Sequence, residues 1–179
     1  YIVNCAAIAN WGINVLAKLF TVNSLVPGVL ADWCAKKSVF LLHISGSLVY
    51  GSVSKNISTD TPENPDTDYG ISKCLADKMI QTSGAAYAII RFCGLYGLNG
   101  PEHLGLNRAI NAVASGVLPT ITGRGSARRN YLYIKDAANI IADVIADRKL
   151  GIHIASSPEI LTIAEMLTIL TSVFLPGEN

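Results

Sequence analysis

The stretch "SVFLLHIS", residues 38–45, decides the fold. Val39, Phe40, Leu41, Leu42 and Ile44 crowd together without the apolar–polar alternation of a half-exposed strand. A short run of this kind suits a strand covered on both faces, which belongs in a parallel sheet flanked by helices. The flanking sequence agrees. "YIVNCAA" (1–7) reads as a strand. "WGINVLAKLFTVNSLVPGVLADWCAKK" (11–37) reads as helical, with Pro27-Gly28 predicting a kink or break inside it. Downstream lies a polar loop rich in Ser, Thr, Pro and Asp (51–68), then a helix from about Tyr69 to Thr82. "AAYAIIRFC" (85–93) is a strand and "GLYGLNGPEHLG" (94–105) a loop. A short helix (107–116), a basic loop (120–130) and a brief strand (131–134) follow. "KDAANIIADVIADRK" (135–149) is an amphipathic helix and "GIHIAS" (151–156) a strand. Thr162 then caps a last helix, with Glu165 completing a capping box. Strand–helix alternation predicts an α/β fold with a doubly wound parallel sheet. Ligands of such sheets sit at the carboxyl ends of the strands, so the loops after residues 6, 45, 93 and 134 carry the interest.

Composition narrows the function. Half of the 179 residues are hydrophobic, 15% are charged, and the net charge is +1. That balance argues for a packed core, and against nucleic acid or an anionic membrane as partner. No apolar run reaches the length of a membrane span, and the first residues lack the basic start of a signal peptide. Cys5, Cys34, Cys74 and Cys93 are widely spaced, without a CxxC, and the three histidines do not cluster. Reduced thiols in a cytoplasmic protein with no metal site are expected.

Four stretches carry candidate chemistry, one of them "RFCGLYG" (91–97), which closes a strand and meets the crevice edge. In "DYGISKCLADKM" (68–79), Tyr69 and Lys73 stand four apart, on one helical face. An ammonium beside a phenol favours the phenolate, which lets tyrosine exchange a proton with a carbonyl or hydroxyl near neutral pH. The same spacing also suits an ordinary surface pair. In "HISGSLVYG" (43–51), a buried strand ends in Ser45-Gly46-Ser47, whose hydroxyls are expected to face the ligand crevice. A plain serine–glycine turn is the other reading. In "GRGSARRNYLYIKD" (123–136), Arg124, Arg128 and Arg129 share one loop and suit a phosphate or diphosphate. A solvated basic loop explains them equally.

Taken in order, these pieces resemble the extended short-chain dehydrogenase/reductases, the NAD-dependent epimerase/dehydratase group acting on sugar nucleotides. The resemblance covers nearly the whole chain. "VNCAA" resembles the fourth strand, "FTVNSLVPGVLADWC" the next helix, "LLHISGSLVYG" the serine-rich strand end and "YGISK" the catalytic helix. "RFCGLYG" and "GSARRNYLYIKDAANII" resemble the later signatures. The stretch 22–45 leans toward the dTDP-4-dehydrorhamnose reductase branch.

The resemblance implies a Rossmann-like sheet with a small C-terminal substrate-binding part. It divides the chain into a partial NAD(P)-binding domain (1–93) and a mixed region (94–179) with the remaining Rossmann elements and substrate-binding segments. It makes Tyr69 and Lys73 the proton-transfer pair, with Ser47 as third catalytic residue. It places Cys5, Ala6, Ala7, Asn23, Ile44, Ser45, Tyr69, Lys73, Phe92 and Cys93 around NAD or NADP. Gly46, Ser47, Gly94, Arg128 and Arg129 then face a nucleotide-sugar substrate. A homodimer through the 13–36 and Tyr69 helices is implied, with Ile71, Cys74, Leu75, Met79 and Ile80 serving either that contact or the sheet.

Two positions depart from the family. The Ser or Thr four residues before the tyrosine of "VYG" is Gly46, and the asparagine of the "R-x-x-N-x-Y-G" segment is Gly94. A non-catalytic cofactor-binding protein is therefore the alternative reading. No G-x-G-x-x-G follows a strand here, so the first strand–helix units, about 60 residues, are expected upstream. The end, "TSVFLPGEN", is also expected to continue. Without that glycine turn, this stretch alone is expected to bind dinucleotide weakly and to expose an apolar sheet edge.

Overall fold

Four parallel strands carry the first half of the structure: β1 (Ile2–Asn4), β2 (Leu41–Gly46), β3 (Tyr87–Phe92) and β7 (Gly151–Ala155), hydrogen-bonded in the order β1-β2-β3-β7. The computed structural model describes residues 1–9, 15–52, 56–121 and 123–177. It forms two compact units, one of residues 1–92 with 139–155, the other of residues 93–138 with those from 156 onward.

In the first unit the expected buried strand is β2, whose Leu41, Leu42 and His43 are fully covered. A helix follows β1 and ends at Lys37. It comprises α1 (Leu16–Phe20), a π-type stretch (Thr21–Leu25) and α2 (Val26–Lys37). Residues 10–14, where this helix was expected to begin, lie outside the described residues. Of the kink or break expected at Pro27-Gly28, the break does not occur: the helix runs on to Lys37. The chain widens just before the proline instead: the Val26 N–H reaches back five residues to the Thr21 carbonyl, so Pro27, which has no N–H, enters an open turn. The same wide turn lets the consecutive residues Asn23 and Ser24 both be buried.

Helix α3 (Asp68–Thr82) connects β2 to β3. Thr67 caps it by accepting the Gly70 N–H at 3.1 Å. Ala31 and Cys34 of α2, Ile80 of α3, Leu41 of β2 and Ile89 of β3 form one core cluster. Of the apolar positions left open on α3, Ile80 thus packs inward, while Ile71 and Leu75 are 41% and 43% exposed. The polar loop expected over 51–68 follows a 3-10 turn (Ser47–Tyr50), and its residues 53–55 lie outside the described ones.

The second unit corrects two loop assignments. The segment read as loop 94–105 contains β4 (Gly94–Tyr96), paired in parallel with β6 (Tyr131–Tyr133), and leads into α4 (Gly105–Ala114). Asn107, buried, accepts the Gly97 N–H at 3.0 Å and donates to the carbonyls of Leu95 and Pro101, holding the intervening turn. Within the expected basic loop, β5 (Arg128–Arg129) pairs antiparallel with β8 (Leu161–Thr162); its residue 122 is outside the described set. These strands are two or three residues long, too short for a period to register. Helix α5 (Ile134–Ala146) and α6 (Ile163–Phe174) form as expected, α6 with its full capping box at Thr162 and Glu165. The chain end at 178–179 lies outside the described residues. Among the described residues, no helix is long and apolar enough to cross a membrane.

Candidate active site

Parallel strands bring their carboxyl ends to one edge of the first unit. Cys5, Ala6 and Ala7 leave β1 exposed there. Ile44, Ser45 and Gly46 end β2, and Phe92 ends β3, with Gly46 opposite Phe92 in register. Ser47, half-buried, opens the 3-10 turn and makes no side-chain hydrogen bond among the described residues.

Helix α3 delivers Tyr69 and Lys73 to this edge. Its first turn lies tight against the 3-10 turn: a Cβ on Gly70 would sit 2.6 Å from the Leu48 carbonyl oxygen, so only glycine lets the helix approach. Lys73 is buried, and its Nζ donates to the Ile44 carbonyl at 2.6 Å and lies 3.0 Å from His43 Nε2. Burial lowers the Lys73 pKa to about 8, against the opposing pull of Asp77 and Cys5. The expectation for Tyr69 is corrected in this structure: burial raises its phenol above the ordinary tyrosine value rather than Lys73 lowering it. The Lys73 nitrogen is engaged with Ile44 and His43, and desolvation of the phenol prevails.

Asn23 stands behind this pair. Its Oδ1 accepts the Ile8 N–H at 2.7 Å, and its Nδ2 donates to the Ile8 carbonyl at 2.9 Å and to Ser72 Oγ at 3.1 Å. Ser72 Oγ donates in turn to the Tyr69 carbonyl at 2.8 Å, and Ser24 donates to the Ser72 carbonyl at 2.7 Å. Asn23 thereby ties the chain leaving β1 to the turn of α3 that bears Tyr69. It serves as a buried brace, with both ends of its amide occupied.

The Ser45 hydroxyl turns inward. It donates to Asp77 Oδ2 at 3.1 Å, where Arg91 Nε also donates at 2.9 Å. Arg91 continues to the Tyr50 hydroxyl at 2.7 Å and to Glu63 Oε1 at 2.6 Å, and Lys78 pairs with Glu63 at 2.8 Å. The crevice-facing hydroxyl expected of Ser45 is therefore directed into the protein, because a buried carboxylate needs donors. Burial raises the Asp77 pKa despite Arg91. Asp77 stands one turn after Lys73, an i, i+4 signal in the sequence that pointed to this network. His43 and Asn4 were also missed. Their signal was a lone polar residue in each of two apolar strands, whose pairing only the register Asn4–His43 reveals.

The other proposed residues belong to the second unit. Arg128 and Arg129 are exposed on β5, and Arg129 Nη1 donates to the Arg128 carbonyl at 2.9 Å. Cys93 and Gly94 are half-buried at the start of β4. A Cβ on Gly94 would lie 2.7 Å from two carbons of the Tyr131 ring. That contact accounts for the glycine: in this packing of β4 on β6, an asparagine side chain has no room.

The fold is shared with known proteins. A sequence relative is described as an uncharacterized UDP-glucose epimerase, YtcB, of Bacillus subtilis strain 168; it is 28% identical over 121 residues, 65% of this chain and 38% of that protein. UDP-glucuronic acid 4-epimerase from Bacillus cereus, solved in complex with NAD, superimposes with a TM-score of 0.84 at 24% identity, covering 96% of this chain and 58% of that one. dTDP-glucose 4,6-dehydratase from Bacillus anthracis str. Ames, in complex with NAD, gives 0.82 at 20% identity over 96% of this chain and 56% of that one. The sequence thus spans less than two thirds of the length of these relatives. At these identities the structural matches establish a Rossmann-like fold. The match to the family itself runs over residues 1–159, and the chain belongs to the NAD dependent epimerase/dehydratase family.

Proposed function

We propose that the protein acts on a nucleotide sugar with NAD or NADP as hydride carrier, as an epimerase, dehydratase or reductase. The observation that carries this reading is Lys73, buried at the carboxyl edge of the sheet and one helical turn from Tyr69, with its Nζ on the Ile44 carbonyl. Family membership and the NAD complexes of the structural neighbours support it. One neighbour, MoeE5, is described in complex with UDP-glucose and NAD, which supports the substrate class.

The residues at this edge fit a nicotinamide and its ribose. The exposed Cys5, Ala6 and Ala7 are small and leave the backbone accessible, and Lys73 and Tyr69 supply donors. When bound, the cofactor supplies the hydride-carrying ring. Tyr69 exchanges the proton of the sugar hydroxyl as its carbon gains or loses hydride. Lys73, when charged, stabilises the Tyr69 phenolate and offsets the burial that raises the phenol pKa. Ser47, rather than Ser45 with its inward hydroxyl, donates to the reacting oxygen. Arg128 and Arg129, exposed in the second unit, are charge-assisted donors of the kind that suits a diphosphate. Cofactor-dependent turnover by the full-length protein across a panel of UDP- and dTDP-sugars tests the reading. Tight NAD(P) binding without turnover of any of them would overturn it.

Gly46 is the point where the site is underequipped. Its backbone is extended, and a Cβ there would meet nothing closer than the Phe92 carbonyl oxygen at 3.9 Å. Gly46→Ser fits without strain and restores the hydroxyl typical of the family. It is expected to raise kcat about ten-fold; an unchanged kcat would show that Ser47 already fills the role.

We place the protein in the cytoplasm as a homodimer. Its four cysteines are free. Leu25, Val26, Val29 and Trp33 are exposed along the π-type stretch and α2, and Ile71 and Leu75 along α3. An apolar surface of this size favours a partner helix pair. Sedimentation equilibrium is expected to give a dimer that Val29→Glu converts to monomer; a monomeric parent protein overturns this contact.

A further inference from the structure

Asn4, His43 and Lys73 form a buried chain of side chains on the hidden side of the Tyr69–Lys73 pair. Asn4 Oδ1 accepts the Ala6 backbone N–H at 3.1 Å. That bond orients the amide, because an N–H requires an acceptor and the amide nitrogen is only a donor. The Asn4 Nδ2 therefore faces His43 Nδ1, at 3.1 Å, and donates to it. An imidazole that accepts at Nδ1 and is neutral carries its hydrogen on Nε2. His43 is fully buried, and burial is the main cause that lowers its pKa to about 2, so it is neutral whether or not Lys73 is charged. Its Nε2–H points at Lys73 Nζ, 3.0 Å away. An ammonium has three donors and no acceptor, whereas an amine has a lone pair. With an N–H directed at it, Nζ completes both of its contacts only as the amine: it accepts from His43 and donates to the Ile44 carbonyl at 2.6 Å. The opposite arrangement, an ammonium donating to Nε2, needs the hydrogen on Nδ1. It would turn the Asn4 amide over and set its NH₂ against the Ala6 N–H.

We propose that His43, oriented by Asn4, is a positioning residue whose directed N–H favours the amine form of Lys73 and so sets the pH at which Lys73 loses its charge one helical turn from Tyr69. Several groups act on that balance. Asn4 and Cys5 face it from β1 and the residue after it, His43 and the Ile44 carbonyl from β2, and Tyr69 and Asp77 from α3 itself. Asp77 and Cys5 favour the charged form and burial favours the amine, and the His43 N–H directed at Nζ adds to the effect of burial. The pair is thereby poised near neutrality. A change that adds negative charge at this edge charges Lys73, and a charged Lys73 is what a buried phenol needs in order to ionise.

The inference rests on Tyr69–Lys73 being the proton-transfer pair, but its test does not use turnover. Nitrogen-15 NMR of histidine-labelled intact protein reads the tautomer of His43 directly, its signals identified by their loss in His43→Phe. A neutral ring protonated on Nε2 is expected; a ring protonated on Nδ1, or an imidazolium, overturns the proposal. Titration of Lys73 by lysine-label NMR gives a second reading with a definite sign. Removing the directed N–H in His43→Phe, or its orienting partner in Asn4→Leu, is expected to raise the pH at which Lys73 titrates by about one unit. A lowered or unchanged value in a folded variant overturns it. The wild-type tautomer decides the matter if both variants fail to fold. Loss of the catalytic reading alone would appear as an active Tyr69→Phe enzyme with the His43 tautomer as stated.

Discussion

In the full-length protein, Tyr69→Phe is expected to lower kcat on a nucleotide sugar by about 10²–10⁴-fold while KM and NAD(P) affinity change little. The substitution removes one oxygen from a half-buried ring on α3 and leaves the helix cap at Thr67, the Gly70 contact with Leu48 and the Lys73 contacts with Ile44 and His43 in place. A change confined to kcat therefore reports the lost proton exchange rather than a disturbed fold. The pH profile adds a sign. The Tyr69 phenol is raised by burial, and Lys73 is lowered to about 8 by burial. Activity that depends on a charged Lys73 falls as pH rises through the Lys73 value. Retention of more than a few per cent of kcat in the phenylalanine variant would remove Tyr69 from the mechanism.

Arg91→Met is expected to produce the largest loss of stability, about 3–5 kcal/mol, or a melting temperature roughly 10 °C or more lower. The Arg91 side chain is 1% exposed and donates to Asp77, which is fully buried, and to Tyr50 and Glu63. Methionine fills much of the volume, so the cost is chiefly electrostatic: Asp77 stays buried with Ser45 as its remaining hydrogen-bond donor. Adding Asp77→Leu to the same chain removes the stranded carboxylate and is expected to recover part of the loss. Chemical denaturation of the single and double variants measures both values. A loss below 1 kcal/mol for Arg91→Met would mean that the network is open to solvent and not a buried anchor. The same network links the end of β2, through Ser45, to α3 and β3, so the destabilised variant is also expected to lose the alignment of the catalytic edge.

The parts of this protein that the sequence made legible are those with a local physical cause. The unbroken apolar run of β2 announced a strand covered on both faces, and with it the parallel sheet. Thr162 and Glu165 marked the start of α6 because a capping box is made by residues three apart. Tyr69 and Lys73 were visible because a helix sets positions four apart on one face. The π-type stretch before Pro27 was not visible, since a missing N–H can be met by a break or by a widened turn, and packing on α3 chooses between them. The strands β4, β5 and β8 were too short to show a period and exist through their partners.

By itself, the amino-acid sequence determined the fold class, the helix that bears Tyr69 and Lys73, and the strand ends that form the carboxyl edge of the sheet. Propensity, periodicity and capping are properties of neighbours along the chain, and these features need nothing more. Only the tertiary structure decided which way the polar groups turn. It sent the Ser45 hydroxyl to Asp77, set Asn4 against His43, and placed His43 under Lys73. Those partners lie between 30 and 39 residues apart in the chain. Strand register and burial bring them together, because a polar group removed from water must find its partner wherever the fold supplies one.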